Sequence, residues 1–219
     1  MNTTLLFSLL LAAILFWIFL VSKLREKPWL DKSVAAPDKF VTYSSKQLGL
    51  WVFMAVASSL FLLFMIIYAE RSTFPDWVRV SDPDILWFNT AILIISSVVL
   101  QKAHTTKGNP TLQTKLLWIG FGLTTLFLIG QFYAWRLLNN AGIYLSSNPA
   151  NAFFYLFTLL HALHLIGGMF VLGKALVKAK SKDKLVQDAG MALSIKLCTT
   201  YWHFLLILWL ALFYFLITT

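Results

Sequence analysis

His161 and His164 stand three residues apart inside the apolar run Phe153 to Gly168, with the hydroxyl of Thr158 three residues before the first imidazole and the pair Gly167-Gly168 after the second. Imidazoles ligate haem iron or other metals, carry protons, and hydrogen-bond between helices. On a helix this spacing aligns Thr158, His161, His164, Leu165 and Gly168 along one side. Polar groups at membrane depth face a bundle interior or a ligand, and paired small residues admit a second helix, so this face is where the protein meets something. His203, in Tyr201-Trp202-His203, opens the last apolar run. At about 1.5 Å per helical residue, His164 lies roughly 13 Å and His203 roughly 9 Å from the inner ends of their spans. Two helices presenting imidazoles at similar depth are the minimum for a haem with two axial histidines. In the other reading, Thr158, His161, His164, Tyr201 and His203 hydrogen-bond across helices or to a lipid headgroup. The residues alone leave both open.

Other chemistry finds no support. The chain lacks H-E-x-x-H, a P-loop, a dinucleotide fingerprint, a nucleophile elbow and paired catalytic carboxylates. No Asp or Glu falls inside any predicted span, whereas proton pumps and ion-coupled transporters carry ionisable groups at depth. Matched proline or glycine breaks of an inverted-repeat transporter are also missing. Cys198, the single cysteine, has no partner for an internal disulfide and reads as a small buried hydrophobe. Gln131 is a lone amide at depth, expected to cap a contact between helices.

The elements that must position these groups are membrane helices. With 59% hydrophobic and 12% charged residues among 219, the chain lies outside the range of a soluble domain. Spans of about twenty residues account for most of it. Six are predicted: Asn2–Ser22, Leu48–Tyr68, Ile85–Gln101, Lys115–Trp135, Ala152–Leu172 and Leu197–Ile217. The first has no basic residue before it and Lys23, Arg25 and Lys27 after it, the reverse of a secretory signal, and is read as a retained transmembrane helix. A proline-broken linker, Lys23 to Lys46, follows it. Trp29, Trp51, Trp77, Trp87, Trp135 and Trp202 fall near span ends and read as an interfacial girdle.

Of the 18 lysines and arginines, all but Arg71, Arg79 and Arg136 fall on the connections after spans one, three and five. The positive-inside rule therefore puts those connections in the cytoplasm and both termini outside. Topology thus accounts for the net charge of +9, and no nucleic-acid partner is inferred. The outer loop from Glu70 to Asp84 carries four acids and two arginines and reads as solvated.

Several motifs resemble subunit III of the haem-copper terminal oxidases. They are Gln131-Phe132-Tyr133-Ala134-Trp135-Arg136, Gly142-Ile143-Tyr144-Leu145, Asn148-Pro149, Phe153-Phe154-Tyr155, Thr158, and His161-Ala162-Leu163-His164 with Gly167-Gly168. Tyr201-Trp202-His203-Phe204 with Trp209 resembles the family's last helix, and Leu86-Trp87-Phe88-Asn89-Thr90 with Ser96-Ser97 its middle helices. The likeness runs in order from about Lys46 to the C-terminus. It implies a bacterial inner-membrane protein with no catalytic residue, cofactor or metal of its own, packed against catalytic subunit I and subunit II of an oxidase that reduces dioxygen while pumping protons. Haem and copper are then expected in the partner. The family's subunit III holds structural phospholipids, supports proton uptake and protects the catalytic subunit during turnover.

The resemblance implies a lipid-binding or helix-interface role for Thr158, His161, His164, Gln131, Tyr201, Trp202 and His203, and a partner interface at Asn89, Thr90, Ser96 and Ser97. It divides the chain into an extra N-terminal helix with its linker, 1–45, and a five-helix subunit-III-like bundle, 46–219. Three departures stand out. Longer members have two helices where this chain has one, the usual membrane carboxylate near Ala57 or Ser58 is missing, and glycines around the histidine pair are replaced by Leu159 or Leu160 and by Ala162. An accessory subunit of a nitric oxide reductase, a di-histidine membrane cytochrome and a small transporter are the alternatives. The fold expected throughout is an all-α six-helix membrane bundle.

The orientation is open to a direct check. A cysteine placed at Lys182 is expected to stay unlabelled by an impermeant maleimide in intact cells, and labelling there would invert the topology.

Overall fold

Pro110 and Pro149 each stand first in a helix, where the missing N–H would have had no intrahelical partner and the fixed φ already suits the helix. The preceding asparagines cap them. Asn109 Oδ1 accepts from the Leu112 amide at 3.0 Å, and Asn148 Oδ1 from the Ala150 amide at 3.0 Å. Both asparagine–proline pairs are therefore helix starts.

The computed structural model describes residues 44–79, 84–106, 109–179 and 184–218, together with residues 8, 11, 12, 14–19 and 22. Its helices are α1 (Ser45–Arg71), α2 (Ile85–Thr105), α3 (Pro110–Asn140), α4 (Pro149–Ala179) and α5 (Lys184–Thr218). Among the described residues these five are long and apolar enough to cross a membrane. The chain is a multi-pass all-helical membrane protein. The first predicted span lies partly outside the described residues, and those described within it are helical. The linker from Lys23 lies outside them up to residue 43, as do residues 180–183 of the basic connection.

The helices exceed the predicted spans, all but α2 at both ends. At 31 residues α3 is about 46 Å long, whereas the hydrocarbon is about 30 Å thick. Hydropathy locates the apolar centre, while the helix runs on through the headgroup region until a cap stops it. α3 stops at Gly142, the one glycine with positive φ among the described residues, at 76°. The Gly142 amide donates to Asn139 O and the Ile143 amide to Leu138 O, each at 3.0–3.1 Å, which is the Schellman arrangement that satisfies orphan carbonyls.

The chain divides into two compact units, Met1–Glu70 and Arg71–Thr219. In the first, Trp17 Nε1 donates to Ser59 Oγ of α1 at 3.1 Å, and that hydroxyl donates to Ala55 O at 3.0 Å. In the second, α2 packs on α3, α3 on α4, α4 on α5 and α5 back on α2. With short connections each neighbour runs antiparallel, so the four close into an up-and-down bundle. Its core is filled by Trp202 and Trp209, seven residues apart on α5 and both wholly buried, with Phe127, Phe154 and Phe157.

The connection before α2 is anchored at several points. Arg71 forks onto both carboxylate oxygens of Asp76 and lies 4.9 Å over the Phe74 ring. Arg79 donates to Ile217 O, and Asn148 Nδ2 to Val78 O.

The Arg71 guanidinium holds the Asp76 carboxyl below the usual carboxylate range. A depressed carboxyl stabilises the fold above its unfolded pKa, near 3.9, and that contribution fades as pH falls through the folded value. A spin label at Pro75→Cys in a Cys198→Ser background is therefore expected to stay immobile from about pH 5 to 7 and to loosen only below about pH 4. Asp76→Asn should loosen it throughout, and loosening of the parent already near neutral pH would contradict the anchoring role.

Candidate functional site

The face predicted from histidine spacing turns into the bundle. Thr158, His161, Leu165 and Gly168 are buried and His164 is half-buried, while Leu159, Leu163, Ile166 and Phe170 on the other side are exposed. A hydroxyl in hydrocarbon has to be hydrogen-bonded, and a helical threonine can donate to the carbonyl four residues back while its lone pairs stay available. Thr158 Oγ1 donates to Phe154 O at 2.8 Å and accepts from Trp135 Nε1 of α3 at 3.0 Å.

The same relay recurs twice from α5. Trp202 Nε1 donates to Thr124 Oγ1 of α3 at 3.1 Å, and Thr124 donates to Gly120 O at 2.9 Å. Trp209 Nε1 donates to Thr90 Oγ1 of α2 at 2.9 Å, and Thr90 donates to Leu86 O at 2.8 Å. Ser96 Oγ joins the middle relay, 3.0 Å from Thr124 Oγ1. Trp202 and Trp135 are thus core connectors and not the interfacial girdle expected of them, because their indoles point inward to hydroxyls on other helices. Trp202 has no exposed surface, and Trp135 is half-buried. Trp51 and Trp87 do face outward, and Trp29 lies outside the described residues.

The histidines do not converge. His203 Nε2 lies 3.0 Å from Gln101 Oε1 and Nδ1 2.6 Å from Ser97 Oγ, both on α2. An amide oxygen only accepts, so Nε2 carries the proton in this arrangement. His164 Nδ1 donates to Leu160 O at 2.7 Å, and its own carbonyl accepts from Tyr201 Oη at 3.1 Å. His161 is wholly buried, tilted at 35° on Trp209 with centroids 5.0 Å apart, and edge-on to Phe127 at 5.9 Å. Two axial ligands facing one iron would require His203 to leave both of its partners. Among the described residues no three His, Cys, Asp or Glu side chains gather closely enough for a metal. The residues therefore do not fit a haem held by His164 and His203.

Gln131 corrects another expectation. It caps nothing among the described residues: the amide is buried and neither its nitrogen nor its oxygen has a hydrogen-bond partner there. Asn89, Thr90, Ser96 and Ser97, expected to face a partner chain, are all buried inside this chain. Thr90, Ser96 and Ser97 are bonded to α5 or α3, and Asn89 lies against Gly130. A partner interface needs surface, and these side chains have none.

Thr124, missed in the sequence, anchors the middle relay. Its signal was the spacing Gly120-x-x-x-Thr124, small residues one turn apart. Small residues also seat the rings. A Cβ on Gly168 would lie 2.8 Å from the Tyr201 ring and 3.1 Å from Trp202, whereas one on Gly167 would meet nothing within 4 Å.

On the membrane side, the α3–α4 seam opens into a groove of about 1120 Å³, lined by Trp118, Phe121, Phe170 and Gly173 and bordered by Thr114 and Lys174. Lys174 Nζ lies 4.2 Å over the Phe170 ring. A cleft of about 210 Å³ reaches Gln131 between Trp135, Leu159 and Ala162 on the same seam.

The family description "cytochrome c oxidase subunit III" matches residues 47–218. The chain is 26% identical to the cytochrome c oxidase subunit 3 of Synechocystis over 175 residues, covering 77% of this chain and 73% of that protein. It is 29% identical to that of Thermostichus vulcanus over 173 residues, covering 76% and 83%. It is 30% identical to the probable cytochrome c oxidase subunit 3 of Nocardia farcinica over 126 residues, covering 57% and 61%.

Gly168→Ala is expected to destabilise the bundle by about 1–3 kcal/mol through overpacking against two rings that cannot retreat. Gly167→Ala should be neutral or slightly stabilising. Thr124→Val strands the Trp202 N–H and should cost about 1–3 kcal/mol, most of it recovered in Thr124→Val/Trp202→Phe. Thermal unfolding in mild detergent reads both series, and equal effects of the two alanines, or strict additivity of the pair, would count against this packing.

Proposed function

This chain belongs to the cytochrome c oxidase subunit III family, and we propose that it is a non-redox supporting subunit of a haem-copper respiratory oxidase in the bacterial inner membrane. The observation that carries the reading is the match along residues 47–218, which takes in nearly all of the five membrane helices and includes every residue of the candidate site. The relatives' printed names attach the family to cytochrome c oxidase. In this chain the catalytic subunit, with haem and copper, is the partner, and dioxygen reduction and proton pumping take place there. Residues 46–219 supply the family part, and residues 1–45 supply the added helix and linker.

The chain's own role is to pack and to hold lipid. A scaffold wants its buried polar groups consumed in helix contacts, and the three tryptophan–threonine relays do that. The α3–α4 groove offers apolar walls for acyl chains with the Lys174 ammonium at one end, a site suited to an anionic phospholipid. His161, His164, Gln131, Tyr201, Trp202 and His203 then act as helix-interface residues behind that groove. Support of proton uptake and protection of the catalytic subunit follow as consequences of a correctly packed neighbour.

Affinity capture through a tag on this chain, in mild detergent, tests the reading. The expected product carries a haem-copper catalytic subunit with its Soret band, and His161→Ala or His164→Ala should leave that band intact while activity declines faster during sustained turnover. Capture of a nitric oxide reductase core would replace the reading. Loss of a haem band in either variant would overturn the non-redox assignment.

A further inference from the structure

We propose that this bundle binds resident water around one turn of α3, Phe127 to Gln131, held by the side chains of Asn89, Gln131 and His161. The three come from α2, α3 and α4 and are 0–1% exposed. None of their six side-chain nitrogens and oxygens has a hydrogen-bond partner among the described residues. All three meet at that single turn, which rises about 6 Å. Asn89 Oδ1 lies 2.1 Å from where a Cβ of Gly130 would stand, Gln131 belongs to the turn itself, and the His161 ring packs on Phe127.

The surroundings make this cluster informative. Thr90, Ser96, Thr124 and Thr158, buried nearby, are all paired, so the fold satisfies polar groups wherever helix geometry allows. Lipid supplies no hydrogen bonds, and leaving six atoms unpaired there is far costlier than replacing them with leucine. Two neutral amides and an imidazole, which between them both donate and accept, suit water. They lack the carboxylate or thiolate that would suit a cation. At about three hydrogen bonds per buried water, six such atoms engage on the order of two or three molecules. The cleft between Trp135, Leu159 and Ala162 is bordered by Gln131. The inference goes beyond the support role and holds whichever oxidase the chain joins.

X-ray radiolytic footprinting of the affinity-purified complex tests it, because hydroxyl radicals generated from bound water oxidise adjacent buried side chains. Phe127 is compared with Phe154 and Phe157, and Trp209 with Trp202, matched in chemistry and all wholly buried. Phe127 and Trp209 are expected to be modified at least about five times faster than their controls. In Gln131→Leu/His161→Phe that excess should vanish. Should the double variant not assemble, Gln131→Met removes only the amide and should at least halve it. Modification of Phe127 no faster than the controls, or an excess untouched by either variant, would overturn the proposal. An excess abolished by delipidation alone would place a lipid group on these atoms and overturn it equally.

Discussion

An indole N–H buried in a membrane bundle has no water to fall back on, and the placement of that one donor governs this structure. The solution recurs four times: tryptophan on one helix, hydroxyl on the next, carbonyl four residues back. Trp135–Thr158, Trp202–Thr124 and Trp209–Thr90 join α3 to α4, α3 to α5 and α2 to α5 in the second unit, and Trp17–Ser59 does the same within the first. The hydroxyl is satisfied by its own helix before the indole arrives, so each link adds an interhelical hydrogen bond without stranding a donor. Helices apolar all round carry little information about which face should pair. Directional donors supply it, because a rotated helix would leave an N–H in hydrocarbon.

Rings of this size also need somewhere to lie. Tryptophans at 202 and 209 occupy one face of α5 and extend across the bundle, and helices can approach only where side chains are withdrawn. Gly168 lies under Tyr201 and Trp202, Gly120 under Leu100, and Gly130 under Asn89. Glycine is costly within a helix in water, but here the missing Cβ is the space that a neighbour's side chain occupies. Gly122 and Gly167 have open space where a Cβ would be, so glycine content by itself does not mark the contacts.

Much of this was legible in the sequence. Hydropathy located the centres of all five described helices, and the three-residue spacing of Thr158, His161 and His164 identified the inward face of α4. What stayed hidden was direction. Trp202 and Trp135 near span ends have the composition of an interfacial girdle, and only the hydroxyls facing them make them interior. Asn89, Thr90, Ser96 and Ser97 have the composition of a sticky surface, and a sequence does not say whether the surface they bind belongs to this chain or another. His203 at a depth similar to His164 looked like half of a ligand pair. Its angular position on α5 directs it to Ser97 and Gln101 on α2, and depth alone carries no angle.

Two populations of buried polar side chain therefore share one bundle, and their difference follows from reach. Thr90, Thr124 and Thr158 are short enough to close a bond on their own helix, and Ser96 and Ser97 meet a partner on the neighbouring one. Asparagine, glutamine and histidine hold their polar atoms further out, and in an apolar helix they need a partner placed across the gap. In Asn89, Gln131 and His161 the protein offers none, although the aromatic and glycine packing around them is close. A core selected only for stability would have leucine and phenylalanine there. Their clustering on one turn, and not at scattered positions, marks that turn as the place where this scaffold holds something polar, while every relay around it is built to need nothing more.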